Sequence, residues 1–448
     1  MALLSSTWHT LPTEIKLAIV DNLDLNATRV FSRVDAQTYK ICVPSIFKSV
    51  GIGSLVLLQR FLENVPRTYC HYIQELDLCT RPGSNDEQSV HHHPRAASDA
   101  VFSILIASSR LKRLALRMAG SLDKNVITPF TYLQELKILT ITNCSEEAHS
   151  PLSERLVVSI AATTPSLEQL FLDRITRSKL HAPELESVYP YVPLVLGDDD
   201  IPDHHILGSE LSLPSLLRIP TLKKLTIRDT HLGDSRWTTV PVACRLEVLD
   251  LGSCYHETEE FNGLCTERIM AAVGPTVNEF SLTTSVSDTV FATPAVTPLP
   301  RLRKLHISPF FPVESVVDTM SNLAGSPIES LSMQCYEDDV VDVCSALEDF
   351  LSLRVERGPD FYKKLARIDV SVAENNQSIS DNEIEATKRL QEFCRDLRLS
   401  SAVGKAASES CSFLQGSSPL GPSRSNSNSF LDSGDRPLVY LPRRASTL

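Results

Sequence analysis

Two clusters in this chain hold enough ligand-type side chains to suggest a metal. His91-His92-His93 lies between Pro82 and Pro94 with His71 upstream, and Asp198-Asp199-Asp200, Asp203, His204 and His205 stand close together. A bound metal needs donors aimed at one point at fixed distances, usually from rigid elements. Both clusters occupy polar, loop-like tracts, so both are expected to be solvated loops, with no metal and no cofactor. Nucleotide and catalytic signatures fail on inspection. Gly51-Ile-Gly53 lacks a third glycine and a preceding strand, and Gly404-Lys405 lacks the upstream glycine and the Ser or Thr of a phosphate loop. His256-Glu257 lacks the second histidine of a zincin, and no Gly-x-Ser-x-Gly elbow occurs. No residue is expected to be catalytic, and the chain is not expected to be an enzyme.

Composition narrows the partners. Forty-three basic against fifty-five acidic side chains leave a formal charge of −12 over 448 residues, which disfavours nucleic acid as a partner. The longest apolar runs, such as Ile104-Leu-Ile-Ala107, are far too short to span a bilayer. The opening Met1–Trp8 lacks a basic region and a long apolar run, so no secretory leader is expected. Eleven cysteines without a Cys-x-x-Cys pair suit buried thiols in a reducing compartment. A cytoplasmic or nuclear protein is expected, and the sequons at Asn26 and Asn143 then carry no meaning.

The elements that remain are periodic. Large apolar, two residues, large apolar, one residue, large apolar recurs with first positions 73, 111, 136, 167, 222, 246, 277, 302, 328 and 365. The pattern alone is common by chance, but its context repeats. Proline stands two places before Leu167, Leu222, Val277 and Leu302 and directly before Ile328, and the second position is almost always polar. Amphipathic stretches separate the units at 98–110, 153–163, 267–273, 314–323 and 340–351. Strand and helix alternate, and the pattern resembles that of leucine-rich repeats. The step averages about 32 residues against about 20–29 in regular repeats, so the array is irregular. The longest step, 167 to 222, contains the Asp/His tract and is expected to be a loop insertion, with a degenerate repeat near Leu213–Ile219. An ordinary α/β domain stays open as the alternative for this zone.

In such a solenoid the residues between the apolar positions line the concave side. Lys112, Arg113, Lys223, Lys224, Arg228, Arg303 and Lys304 would lie there, with Arg117 and His306, among acidic units such as Glu75, Asp77, Glu168 and Glu247. That mixture suits a protein target better than a phosphate backbone.

The first fifty residues are helical instead. Leu11, Ile15, Ile19 and Leu23 recur at the four-residue step of one helix face, and Pro12 suits a first turn. Val30, Phe31 and Val34, then Tyr39, Ile41 and Val43, suggest one or two more short helices. Leu11-Pro12-x-Glu14-Ile15, with Ile19, Leu23, Val34, Tyr39 and the closing Pro44-x-Ile46-Phe47, resembles an F-box of the fungal type. Ala27-Thr28-Arg29 stands where many F-boxes carry Asp-Leu-Leu, and Tyr39 is the aromatic nearest to their usual Trp.

With the repeat pattern, the chain reads as an α/β protein with a helical F-box-like module at 1–50, an irregular leucine-rich-repeat solenoid at 51–399 and a tail at 400–448 that its Ser-rich, apolar-poor composition predicts to be disordered. The F-box resemblance further implies a substrate receptor of a cullin–RING ubiquitin ligase. Leu11, Pro12, Ile15, Ile19 and Leu23 would dock on a Skp-type adaptor, and through it a cullin, while the repeats hold a target. The other reading is a plain interaction scaffold whose N-terminal helices cap the solenoid. In the tail, Arg443-Arg444-Ala445-Ser446 resembles a basophilic-kinase site, which makes Ser446 a candidate phosphosite.

Overall fold

The computed structural model describes residues 8, 10–82, 94–183, 193–251, 259–282 and 299–372, together with 388, 389, 392, 400 and 401. His91–His93 and the tail beyond residue 401, with Ser446, lie outside the described residues.

Three helices open the chain: α1 (Thr13–Asp21), α2 (Leu25–Phe31) and α3 (Ala36–Ile46). Strand β1 (Ser49–Ile52), α4 (Leu55–Asn64) and the single turn α5 (Arg67–Cys70) lead into the repeats. From there the strands are β2 (Glu75–Cys79), β3 (Arg113–Met118), β4 (Ile138–Asn143) and β5 (Gln169–Asp173), with α6 (Pro94–Ala107) and α7 (Glu154–Thr163) between them. A short pair, β6 (Arg177–Ser178) and β7 (Leu194–Val195), stands apart. The array resumes with β8 (Lys224–Arg228), β9 (Val248–Asp250), α8 (Glu259–Val273), β10 (Glu279–Leu282) and β11 (Lys304–Ile307). It continues through α9 (Val316–Asn322), β12 (Ser330–Cys335), α10 (Val340–Arg357), β13 (Arg367–Val372) and β14 (Ser400–Ser401).

All ten apolar units become strands of one parallel sheet, ordered as in the chain from β1 to β5 and from β8 to β14. The three apolar positions of every unit, from Ile73, Leu76 and Leu78 to Leu365, Ile368 and Val370, are no more than 6% exposed. They form one core that runs from Ile52 to Val370. At about 1.5–3 kcal/mol for each fully buried aliphatic side chain, this row dominates the stability. The chain is therefore an α/β solenoid, as the repeat resemblance implied.

Register is held by the backbone at the sheet's N-terminal edge. The carbonyl of Lys48 accepts the amides of both Gln74 and Glu75, at 2.9 and 3.0 Å. The carbonyl of Gln74 accepts those of Lys112 and Arg113, and the pattern repeats unit by unit until Glu329 accepts from Ala366 and Arg367. This forked bond depends on no side chain, so it tolerates repeats of unequal length.

The connections on the far side of the core vary with local sequence. Ser153 caps α7, its hydroxyl accepting from the amides of Arg155 and Leu156. Between β3 and β4, Pro129 sits within a 3-10 helix (Lys124–Tyr132), where its missing N–H disfavours a regular α-helix. The expected helices are present, shifted by a few residues at their ends: 98–110 is Pro94–Ala107, and 314–323 is a 3-10 turn followed by α9.

The described residues of the long step, 174–183 and 193–221, form an insertion packed on the core. No strand of the main sheet forms near Leu213–Ile219, and β5 pairs directly with β8. That segment is instead a 3-10 turn whose Leu213, Leu216, Leu217 and Ile219 join the core.

Candidate functional site

The N-terminal helices carry a small core of their own. Val20, Ile41 and Cys42 are buried, with Trp8, Phe31 and Ile46 packed on them. Trp8 meets Phe31 edge-on at 4.8 Å between ring centroids and donates its indole N–H to Thr38 Oγ1 at 2.9 Å. Asp24 caps α2 through the amide of Ala27, and Asp35 caps α3 through the amides of Gln37 and Thr38. Helix α1 turns Lys16 and Val20 inward, with the Lys16 ammonium 5.7 Å from the Trp8 ring centroid.

That phase turns the other face of α1 outward. Ile15 is 48% exposed and Ile19 39%, one turn apart; Pro12 is exposed, and Leu11 and Leu23 are half-buried. Leu17, Leu25, Val30 and Val34 are exposed as well, the last two at 68% and 65%. Sequence spacing marked the α1 face but missed Val30 and Val34 as surface residues, because an apolar residue in a short helix is ordinarily read as core. The module joins the solenoid through aromatic side chains: the Phe47 ring lies 6.5 Å from Phe61 and 5.2 Å from Tyr69. A hydrogen bond with Tyr69 pushes the Tyr39 phenol above its ordinary range.

The sheet's other face, away from the core, carries the charged positions. Arg113, Lys224, Arg228 and Lys304 lie on strands with their side chains on this open face, whereas Lys112, Lys223 and Arg303 precede the strands and line the sheet edge. The expectation that all seven share one surface is corrected accordingly: alternation along a strand excludes the residue just before it. Most of them pair with acids. Lys304 reaches Glu279 at 2.9 Å, Arg303 reaches Glu329 at 3.5 Å, Lys112 reaches Glu135 at 3.9 Å, and Arg228 reaches Asp250 at 3.1 Å. Arg117 grips Asp77 with two bonds of 3.0 and 3.1 Å. Glu168 accepts from both Lys137 and Lys223, which holds its carboxyl below the usual range. Burial holds His306 below the usual histidine range, with Asp250 opposing and Arg228 reinforcing.

Access to the open face differs along the array. Over β9 and β10 it is closed, since Val248, Asp250 and Ser281 are buried. Over β4 and β5 it is accessible and nearly uncharged: Ile138, Thr140, Thr142, Gln169 and Phe171 are all half-buried. Register sets Thr140 beside Phe171 and Ile138 beside Gln169.

No protein-family model matches this chain, and no curated protein matches it in sequence. Among solved structures, the chain aligns with a chain of the crystal structure of the Rad7 and Elc1 complex in yeast. The identity is 15%, the alignment covers 90% of this chain and 96% of that one, and the TM-score is 0.34. At that score no role passes from one to the other.

The Asp/His tract is a loop only partly in water: Asp199, Asp200, Asp203 and His205 are exposed, as expected, while the other two members are buried. Asp198 is 6% exposed and accepts from the hydroxyls of Ser153 and Ser178 at 2.6 and 2.7 Å, and His204 is 7% exposed. These hydroxyls supply the donors a buried carboxylate needs, so the tract is pinned to the start of α7 and to β6. Among the described residues no group of three or more His, Cys, Asp or Glu could hold a metal.

The insertion is built on buried charge. Arg177, 1% exposed, bonds Glu154 at 3.0 Å and Asp234 at 2.9 Å, and Glu154 also accepts from the amides of Ser178 and Leu213. Burial raises the Glu154 carboxyl against the pull of Arg177. Arg155 is spent on three carbonyls, of Asp198, Ile201 and Ser209, and on the His181 ring. Burial first, then Arg236 and Arg155, hold His181 down to about 4. This paired network ties the described residues of the insertion to the start of α7 and to Asp234. Of the cysteines, 42, 70, 79, 244, 265 and 335 are buried and 144 and 344 half-buried, and none of these eight is in a disulfide.

Proposed function

We propose that this chain is the substrate receptor of a cullin–RING ubiquitin ligase, docking through its N-terminal module on a Skp-type adaptor and holding a target protein on its repeats. The chain does no bond chemistry of its own in this reading; it raises the effective concentration of a target lysine near the charged ubiquitin carrier. It acts inside the cell, in the cytoplasm or nucleus.

The observation that carries the reading is the solvent-exposed apolar face of α1, Ile15 and Ile19, on a module with its own core. A helix that only capped the solenoid would turn that face onto the first repeat, because terminal repeats need covering. Here the apolar face points to water and the joint is a few aromatic rings. Exposed apolar side chains that are contiguous, rather than singly scattered, mark interaction surfaces, and Ile15 and Ile19 stand one turn apart on a single helix face.

The test is binding of the full chain to a purified Skp-type adaptor, beside the double variant Ile15→Asp, Ile19→Asp. Wild-type binding that the variant loses, with the circular-dichroism spectrum unchanged, supports the reading. No binding by the wild-type chain refutes it and leaves the scaffold.

A further inference from the structure

We propose that the open face of the sheet over β3, β4, β5 and β8 docks a short, acidic, extended segment of the partner protein, whose apolar side chain seats against Ile138 and Phe171. The inference rests on the receptor reading for the partner's status as a target, and on the structure for its chemistry.

Charge is distributed very unevenly along this face. Arg113, Arg117, Lys224 and Arg228 lie on these four strands, and Lys112, Lys137 and Lys223 directly precede three of them. Only Glu168 and Asp173 oppose them within the same strands and edge positions. The neighbours on both sides are acidic: Glu75 and Asp77 on β2, then Glu247, Asp250 and Glu279 on β9, β10 and the edge before β9. These four strands and their edge positions thus carry seven cations against two acids in a protein of formal charge −12. The strand cations stand on β3 and β8, and between them β4 and β5 offer an outward strip whose one charged side chain is Asp173.

The strip supplies the anchor. Phe171 and Ile138 occupy the outward positions of their strands and are half-buried. They stand on adjacent strands one outward position apart. Protein interfaces concentrate affinity in a charge-poor, aromatic centre and set charges at the rim. The face closes at the middle of β8, where Thr226 is buried, and stays closed at Asp250 and Ser281 of β9 and β10, which confines a ligand to β3, β4, β5 and the exposed Lys224 end of β8.

Dimensions select the occupant. Four parallel strands about 4.8 Å apart make a floor roughly 15 Å wide, the reach of about four or five extended residues. A duplex nucleic acid carries one charge per roughly 1.7 Å and would extend over the acidic flanks at Asp77 and Asp250. A short acidic segment fits between them. Arg117 is held by Asp77 in an exposed pair, worth only about 0–1 kcal/mol, so an incoming carboxylate shares its guanidinium at little cost. Arg228 stays committed to the buried Asp250, which leaves Arg113, Arg117 and Lys224 as the strand cations that meet the ligand.

The experiment selects a displayed library of random dodecapeptides against the full chain. Parallel selections use the Arg113→Glu, Lys224→Glu double variant, Phe171→Ser, and the edge pair Lys112→Glu, Lys137→Glu, each confirmed folded by its melting curve. The expected result is a consensus of Asp or Glu flanking one aromatic or aliphatic residue. Its synthetic peptide should bind the wild-type chain at least about tenfold more tightly than each charge variant, weaken in high salt, and lose affinity with Phe171→Ser. No enrichment, a consensus without acids, or a peptide indifferent to all the variants overturns the proposal. So does equal competition by oligo-dT, which would mean a general polyanion surface. The same preparations are assayed for Skp-adaptor binding, which the open-face variants should keep. A chain that binds the peptide but no adaptor defeats the ligase reading and leaves this surface standing.

Discussion

Glu168 and Lys223 are joined twice across fifty-five residues of sequence: the Glu168 carbonyl accepts the Lys223 amide at 2.8 Å, and their side chains meet at 3.2 Å. The two links differ in what they contribute. The carbonyl also takes the Lys224 amide, and the same fork recurs along the edge of the sheet. It lets β8 follow β5 in register although an insertion as long as a repeat separates them. The side-chain pair is half in water and only decorates the edge.

Glu168→Gln is therefore expected to change unfolding free energy by less than about 1 kcal/mol. Leu170→Ala, two residues on and 2% exposed, should cost about 2–5 kcal/mol. Urea denaturation followed by circular dichroism separates the two. A large loss with Glu168→Gln would mean that the edge side chains, and not the core row and backbone fork, hold the register.

Arg177 neutralises two buried carboxylates at once, Glu154 and Asp234. Arg177→Met keeps much of the volume but leaves the fully buried Glu154 without a counter-charge, while Asp234 keeps Arg236, for an expected loss of about 3–5 kcal/mol. Adding Glu154→Gln should recover a large part of it, since a neutral amide no longer needs a counter-charge. Chemical denaturation of the single and double variants measures this. Equal instability in both would mean that the guanidinium acts by packing alone.

His181 is held down to about 4, from an unfolded value of 6.5. Above pH 6.5 it is neutral in both states and has no effect. As pH falls from 6.5 towards 4, the unfolded chain binds a proton that the folded chain refuses, so stability falls through that window and levels off below it. Comparing urea midpoints at pH 7.5 and pH 5 should show a smaller drop in His181→Asn than in wild type. Equal drops would assign the acid sensitivity to other groups, with His204 and His306, both also shifted downward, the first to examine.

These contrasts mark what the sequence made legible. The core row was readable because its spacing is local: alternation sends Leu114 and Leu116 to one face of β3, and Leu111, in the turn just before the strand, joins them in the core. Helix α7 was readable for the same reason, Ser153 and the apolar period lying side by side. The Arg177 network was not readable. Its partners stand 23 and 57 residues away, and nothing near Arg177 in sequence separates it from a surface arginine. In the Asp198–His205 tract the exposed members were legible from their polarity, but the burial of Asp198 was not, because the serines that bond it lie 45 and 20 residues off. The charge-poor strip was half-visible: Phe171 sits at an outward position of its unit, but its charged surround emerges only once β8 is known to lie beside β5.

The α1 face gives the last prediction, and it concerns stability. Ile15 and Val20 are both aliphatic and five residues apart, yet one is 48% exposed and the other fully buried. A charge at Ile15 stays in water, so Ile15→Asp should leave the melting temperature and unfolding free energy within about 0.5 kcal/mol of wild type. A charge at Val20 would be buried against Ile41 and Cys42 without a partner, and Val20→Asp should unfold the module. Proteolysis at the Leu25–Phe31 segment, read by mass spectrometry, reports the module separately from the repeats. Protection in Ile15→Asp with cleavage in Val20→Asp is the expected pattern. Cleavage in both would mean that Ile15 supports the module's own packing, and its exposed face could then no longer be assigned to a partner.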